Sequence, residues 1–308
     1  MKLRSLLAAL LLGLLAVSSA FAQDAAPSPA EKDLNDLVGK ITTKLRSGGP
    51  RNAAALAPEL AEFDALLAKY PEKNEDSAQI ALMKAMLFLQ VLDDEATGKK
   101  LLGEVAQNFP GTKAAAGVDR ILQQLDAMKQ AEVTQKKIIG GAAPQLNFTW
   151  SSQDGLKSLA DLKGKVVVID FWATWCGPCI AAFPKIREEI AHFAGSPVVI
   201  LGVTSLQGRV NGIEPKPINV KGDAAREYAL TAEFMKKKEM TWPVVFSSQE
   251  VFNPDYGVTG IPHLAIIAPD GTVRHNGLNP HDPEANVAAK VTAILKEFNL
   301  PAPAAKSE

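Results

Sequence analysis

The stretch VVIDFWATWCGPCIAAFPK, Val167 to Lys185, holds Cys176 and Cys179, the only two cysteines among 308 residues. A C-x-x-C pair at the start of a helix brings its sulfurs within one turn, close enough for a disulfide. The apolar run Val166 to Phe171 reads as a core strand, and Cys176 to Phe193 reads as the helix that follows it. Cys176 therefore falls where unsatisfied backbone N–H groups and the helix dipole favour a thiolate. That chemistry is the chemistry of a thiolate nucleophile. Two rival uses of the spacing are a zinc site and a purely structural bridge. Two cysteines are half of a structural zinc set, and His192, His263, His275 and His281 do not complete it at motif spacing, so no metal is expected. A structural bridge over so few residues removes little entropy from the unfolded chain.

The elements that must position this pair are legible on both sides of it. From a glycine-bearing junction at Lys137-Ile138-Ile139-Gly140-Gly141, strand runs alternate with helical ones. Strands are expected over 147–151, 166–171, 198–204, 244–246, 264–268 and 272–275, and helices over 176–193, 223–240 and 283–298. Asp270-Gly271 marks a hairpin turn between the last two strands. The pattern describes an α/β sandwich, a sheet covered by helices on both faces. Before the junction, alanine and leucine recur at helical spacing through 52–69, 76–91 and 113–128. Tyr70-Pro71 and Phe109-Pro110 each close one helix before the next begins. This half reads as all-α helical hairpins similar to tetratricopeptide units, a platform for a protein partner or a domain that packs on its neighbour.

Composition limits the class of partner. A hydrophobic fraction of 47% and a charged fraction of 22% are those of a globular protein with room for two cores. The net charge of -1 and the lack of a basic run give no reason to expect nucleic acid. Lys2 and Arg4, the apolar run Leu6 to Val17 and Ala20-Phe21-Ala22 have the form of a cleaved export signal, and the run is shorter than the roughly 20 residues that span a bilayer. The expected plan is a signal peptide over 1–22, a helical domain over 23–137, the α/β domain over 138–303 and a flexible tail over 304–308. The expected compartment is the periplasm, where thiols are oxidised unless something keeps them reduced.

DFWATWCGPC, with Pro184 five residues after the second cysteine and Gly260-Ile261-Pro262 before the penultimate strand, resembles thioredoxin. With the lead-in LKSLADLKGKVVVIDFWATWCGPC and the export signal, the chain is similar to the exported thioredoxin-like reductases of the TlpA/ResA group, over roughly 138–300. The resemblance implies a thioredoxin-like sandwich with a central mixed sheet, no cofactor, and roles by position. Cys176 is the exposed attacking thiolate and Cys179 the shielded resolving thiol, together the redox-active disulfide. Gly177-Pro178 is the dipeptide of reducing thioredoxins. Pro262 is the cis-proline that turns the backbone of Ile261 toward the cysteines to pair with a substrate strand. Pro184 kinks the helix. Trp175 flanks the nucleophile, whereas Trp172 suits the core equally well. Asp170 is the buried carboxylate that takes the Cys179 proton through water.

The sequence departs from that group in two places. Leu201-Gly202-Val203-Thr204 carries no equivalent of the lysine that accompanies the carboxylate. Ser205 to Gly222, with Pro215 and Pro217, is a long segment expected as a loop near the active edge, there either to select substrates or as a tolerated insertion. His263 is expected to pack rather than to touch the thiolate. The implied activity is reduction of disulfides in exported proteins, apocytochrome-like partners among them, with a membrane thiol donor restoring the dithiol. A helical scaffold with a thioredoxin-like docking module is the alternative. A peroxiredoxin-like peroxidase is weaker, because Cys176 stands in a C-x-x-C and not in P-x-x-x-T-x-x-C.

Overall fold

A computed structural model describes residues 26–303, so the expected export signal over 1–22 and the expected tail over 304–308 lie outside the described residues. The chain forms two compact units, 1–126 and 127–308. The division falls inside a helix, before the junction expected at 137, because the last turns of that helix pack with the second unit.

In the first unit, helix α1 (Pro29–Arg46) begins at Ser28, whose hydroxyl accepts the Glu31 N–H at 3.1 Å. It is followed by α2 (Ala57–Lys69), α3 (Glu75–Gln90), α4 (Glu95–Asn108) and α5 (Lys113–Lys137). Tyr70 and Phe109 are the C-caps of α2 and α4, as their proline-terminated sequences suggested. Leu37, Leu56, Phe63 and Ile80 fill one core, and Ala85, Leu102, Val105 and Val118 a second. The carboxylate of Glu75, first residue of α3, accepts the N–H groups of Lys113 and Ala114 at 2.7 and 3.2 Å. It thereby caps α5 from far along the chain and satisfies two of the donors that a helix start leaves open.

The second unit is built on a six-stranded mixed sheet. Its strands are β1 (Phe148–Ser151), β2 (Val166–Phe171), β3 (Val198–Thr204), β6 (Val244–Ser247), β7 (His263–Ile267) and β8 (Val273–Leu278), in the order β1-β6-β3-β2-β7-β8. β2, β3 and β6 run parallel, and the outer strands pair antiparallel. The crossovers from β2 to β3 and from β3 to β6 step in one direction. Right-handed connections therefore place α6 (Gly177–His192) and α7 (Ala224–Lys237) on one face, where α8 (Val287–Glu297) joins them. The other face is covered by two 3₁₀ helices, Leu159–Leu162 and Pro254–Tyr256, so the helical cover of the two faces is uneven. The last turns of α5 join the unit here. Gln135 Nε2 donates to the Gly257 carbonyl at 2.6 Å. Gly257 has a φ of 64°, and a Cβ there would stand 2.4 Å from the Ala131 carbonyl oxygen. Only glycine admits the helix this closely.

The segment 205–222 is not wholly loop. Arg209–Val210 (β4) and Ile218–Asn219 (β5) pair as a short antiparallel ribbon. Strands this short leave no periodic signal. Among the described residues, no helix is long and apolar enough to cross a membrane.

Candidate active site

Strand β2 delivers the motif. It is buried along its whole length, and alternation sends Val166 and Val168 into the same core as both cysteines. Cys176 is the N-cap of α6, with Gly177 and Pro178 as the first helical residues, and it is disulfide-bonded to Cys179. The Cys179 N–H points at Cys176 Sγ from 3.1 Å. An open donor of the helix start is thus aimed at the sulfur where negative charge would develop.

The expected difference in exposure is absent in this oxidised form. Cys176 is 3% exposed and Cys179 1%. The cause lies in the walls: Ala173, Leu264 and the half-buried Trp175 and Ile261 pack into the cluster that contains both sulfurs. Gly177 and Pro178 remain exposed and form the open side of the motif. The Ile261–Pro262 bond is cis, and the Ile261 carbonyl oxygen lies 3.7 Å from Cys176 Sγ. Pro184 lies inside α6.

Asp170 follows Val166 and Val168 on the cysteine-facing side of β2 and is 1% exposed. Its Oδ1 has no hydrogen-bond partner, and burial pushes its carboxyl up to about 8. Its neighbour on β3 is Gly202, where the sequence offered no lysine. Around Gly202 stand the indole nitrogens of Trp172 and Trp242, both buried and without an acceptor. A Cβ at 202 would meet them at 3.0 and 3.3 Å. One unpaired acceptor and two unpaired donors thus share one face of the sheet beside the cysteines. Trp172 is a core residue, stacked on Phe234 and edge-on to Phe183.

His263 lies on the opposite face. Its ring meets Phe171 edge-on at 5.8 Å, and its Nε2 pairs with Asn276 Oδ1 at 2.8 Å. Burial pulls it down to about 4, so it is neutral near pH 7 and packs, away from the sulfurs.

Five contacts of the motif had no mark in the sequence. Trp175 Nε1 donates to Gln207 Oε1 at 2.9 Å. The Arg209 guanidinium lies 5.8 Å from the Trp175 ring centre, within the range of a cation–π contact. The Asn211 N–H donates to Thr174 Oγ1 at 3.1 Å. On the other flank, His281 Nε2 stands 2.8 Å from the Pro178 carbonyl oxygen, and Lys185 Nζ donates to the Pro280 carbonyl at 2.9 Å. Partners this far apart in the chain are beyond the reach of any local pattern.

A mixed sheet that carries a disulfide at the N-cap of its first crossover helix, beside a cis-proline loop, defines a thioredoxin-like redox domain. The chain belongs to the Redoxin family, whose model matches residues 139–292. It is similar to the thiol-disulfide oxidoreductase ResA of Bacillus subtilis, 30% identical over 135 residues, which are 44% of this chain and 64% of that protein. The protein SUPPRESSOR OF QUENCHING 1 of Arabidopsis thaliana is 24% identical over 273 residues, 83% of this chain and 24% of its own length. Among solved structures, the thioredoxin domain of a thiol-disulfide oxidoreductase from Bacteroides vulgatus is 22% identical and covers 49% of this chain and 96% of that one, with a TM-score of 0.37.

Proposed function

We propose that this chain is a protein-disulfide reductase that works by dithiol–disulfide exchange at Cys176 and Cys179. The observation that carries the reading is the bonded pair at the helix start, with the Cys179 N–H on Cys176 Sγ and the Ile261 carbonyl beside it. In the reduced protein, the Cys176 thiolate attacks one sulfur of a substrate disulfide. The substrate S–S bond breaks, its leaving sulfur takes a proton, and a mixed disulfide remains. Cys179, its proton passing to the Asp170 side of the site, then attacks Cys176 Sγ and releases the second substrate thiol. Two electrons have moved to the substrate, and the protein is left as the disulfide. The elevated Asp170 carboxyl suits this transfer: once ionised, it is a stronger base than an ordinary carboxylate.

The substrates in this reading are disulfide-containing exported proteins, apocytochrome c among them, met in the periplasm after cleavage of the signal at 1–22. A membrane thiol donor restores the dithiol. Pro262 and Ile261 present the backbone edge on which a substrate strand pairs, with Gly177 and Pro178 on the open side. The helical half carries neither cysteine, so its part is the choice of partner. The test is insulin reduction by the pre-reduced full chain, with Cys176→Ser and Cys179→Ala beside it. Cys176→Ser should abolish turnover, and Cys179→Ala should accumulate a mixed disulfide through Cys176. Turnover by Cys176→Ser would sink the proposal.

A further inference from the structure

Segment 205–222 is fastened to the active-site motif and to α7 by polar contacts that a passive insertion would not need. Glu227 of α7 is 2% exposed, and its two carboxylate oxygens accept the N–H groups of Gln207 and Gly208 at 2.6 and 3.0 Å. Gln207 in turn holds the Trp175 indole, and its amide nitrogen donates to Ser205 Oγ at 2.9 Å. Ser205 Oγ accepts the Val251 N–H at 3.0 Å, which ties in the loop that carries Phe252. The Phe252 ring centre stands 6.2 Å from that of Trp175. One buried carboxylate thus sets the position of two loops on either side of the tryptophan that flanks Cys176.

What these loops present outward is not inert. Four large apolar side chains stand well exposed among the described residues, and two of them are here: Leu206 at 45% and Phe252 at 44%. Leu206 and Arg209 line a groove of about 760 Å³ that also takes in Lys221. Arg209 is exposed and rests on the Trp175 ring without joining a salt bridge among the described residues. Two carboxylates line the same groove, and both accept backbone N–H groups: Glu227 as above, and Asp223, the N-cap of α7, from Arg226. Glu250 lies on the Phe252 side. Arg209 and Phe252 thus both stand against Trp175, the residue before Cys176, and Leu206 adjoins Gln207, which holds the indole.

We propose that Leu206, Arg209 and Phe252 form a recognition rim for an extended segment of the substrate protein that carries a large apolar residue and a carboxylate next to its target cysteine. The inference rests on the reductase reading and adds a specificity that the Redoxin fold alone does not supply. The apolar residue covers Leu206 and Phe252. The carboxylate pairs with Arg209, whose guanidinium is held on Trp175 and so loses little freedom on binding. Glu227 and Gln207 are positioning residues: they touch no substrate and hold the rim in place.

The test uses two disulfide peptides, identical except for an Asp-Asp or a Lys-Lys pair beside the cysteine, and the pre-reduced full chain. The expected kcat/KM ratio favours the acidic peptide by about three- to tenfold at low ionic strength and falls with added salt, as for a partly exposed charge pair. Arg209→Glu should invert the ratio, and Phe252→Ser should raise KM for both peptides. A ratio of one, or a ratio unchanged in Arg209→Glu, overturns the rim. Titration of the oxidised protein with the same peptides, serine replacing cysteine, reads the Trp175 indole N–H by NMR without any chemistry. Tighter binding of the acidic peptide supports the rim even where no peptide is reduced, an outcome that would sink only the reductase reading. Equal affinities overturn the rim.

Discussion

Replacing Asp170 by asparagine should stabilise the protein increasingly as the pH rises. In the folded chain burial holds the Asp170 carboxyl at about 8, whereas the unfolded chain releases that proton near 3.8. Between those values the folded state binds one proton more than the unfolded state, so stability falls with rising pH by about 1.4 kcal/mol per unit. The sign is that of a raised folded pKa: the stabilising proton is fully kept at acid pH and is lost as the pH passes through about 8. From pH 5 to pH 8 the wild type forfeits about 3 to 4 kcal/mol through this one group. Asparagine does not titrate. Its buried amide adds a desolvation cost of about 1 to 3 kcal/mol, but that cost is the same at every pH and cancels in the comparison. Urea unfolding of the oxidised protein at pH 5, 6.5 and 8 measures the effect. Trp150, Trp172, Trp175 and Trp242 are all the tryptophans of the chain and all lie in the second unit, so their fluorescence follows that unit alone. The titrations of His263 and Glu227 are common to both proteins and drop out. A variant-minus-wild-type difference that changes by less than about 1 kcal/mol across the window would mean that Asp170 ionises like an ordinary carboxylate, and the argument from its burial would be wrong.

Two further outcomes follow from the same site. Gly202→Ala places a Cβ 3.0 Å from Trp172 Nε1, 3.1 Å from Val244 Cγ2 and 3.3 Å from Trp242 Nε1. It should cost about 1 to 3 kcal/mol in urea unfolding; an unchanged midpoint would show that the indoles give way freely. In the reduced protein Cys176 should alkylate with iodoacetamide at least about tenfold faster than Cys179 near neutral pH, because a helix-start donor faces it; equal rates would overturn the assignment of nucleophile and resolving thiol.

What the sequence made legible, and what it did not, divides along the range of the forces involved. The strand into Cys176, the helix after it and the turn at Asp270-Gly271 are set by apolar periodicity, a helix start and a glycine of positive φ, all local. The buried carboxylate at 170 was expected only from the family resemblance; in the folded chain strand alternation puts it on the face of Val166 and Val168, where it is 1% exposed. The exposure of Cys176 was misread. An N-cap position fixes which donors face the sulfur, but its cover comes from Trp175, Ile261 and Leu264, the last two reached only when β7 pairs with β2. The rim was illegible on the same ground. Glu227 lies 20 residues from Gln207, and Gln207 lies 32 from Trp175, in a segment whose only strands are two residues long. A carboxylate in the first turn of an amphipathic helix reads as solvated surface that favours the helix start. Only when α7 returns across the sheet toward β6 do two open backbone N–H groups meet it, and a buried carboxylate whose oxygens accept both costs far less than one left unpaired. The sequence thus marks where the chemistry sits, and the folded chain marks which molecules can come close enough to share it.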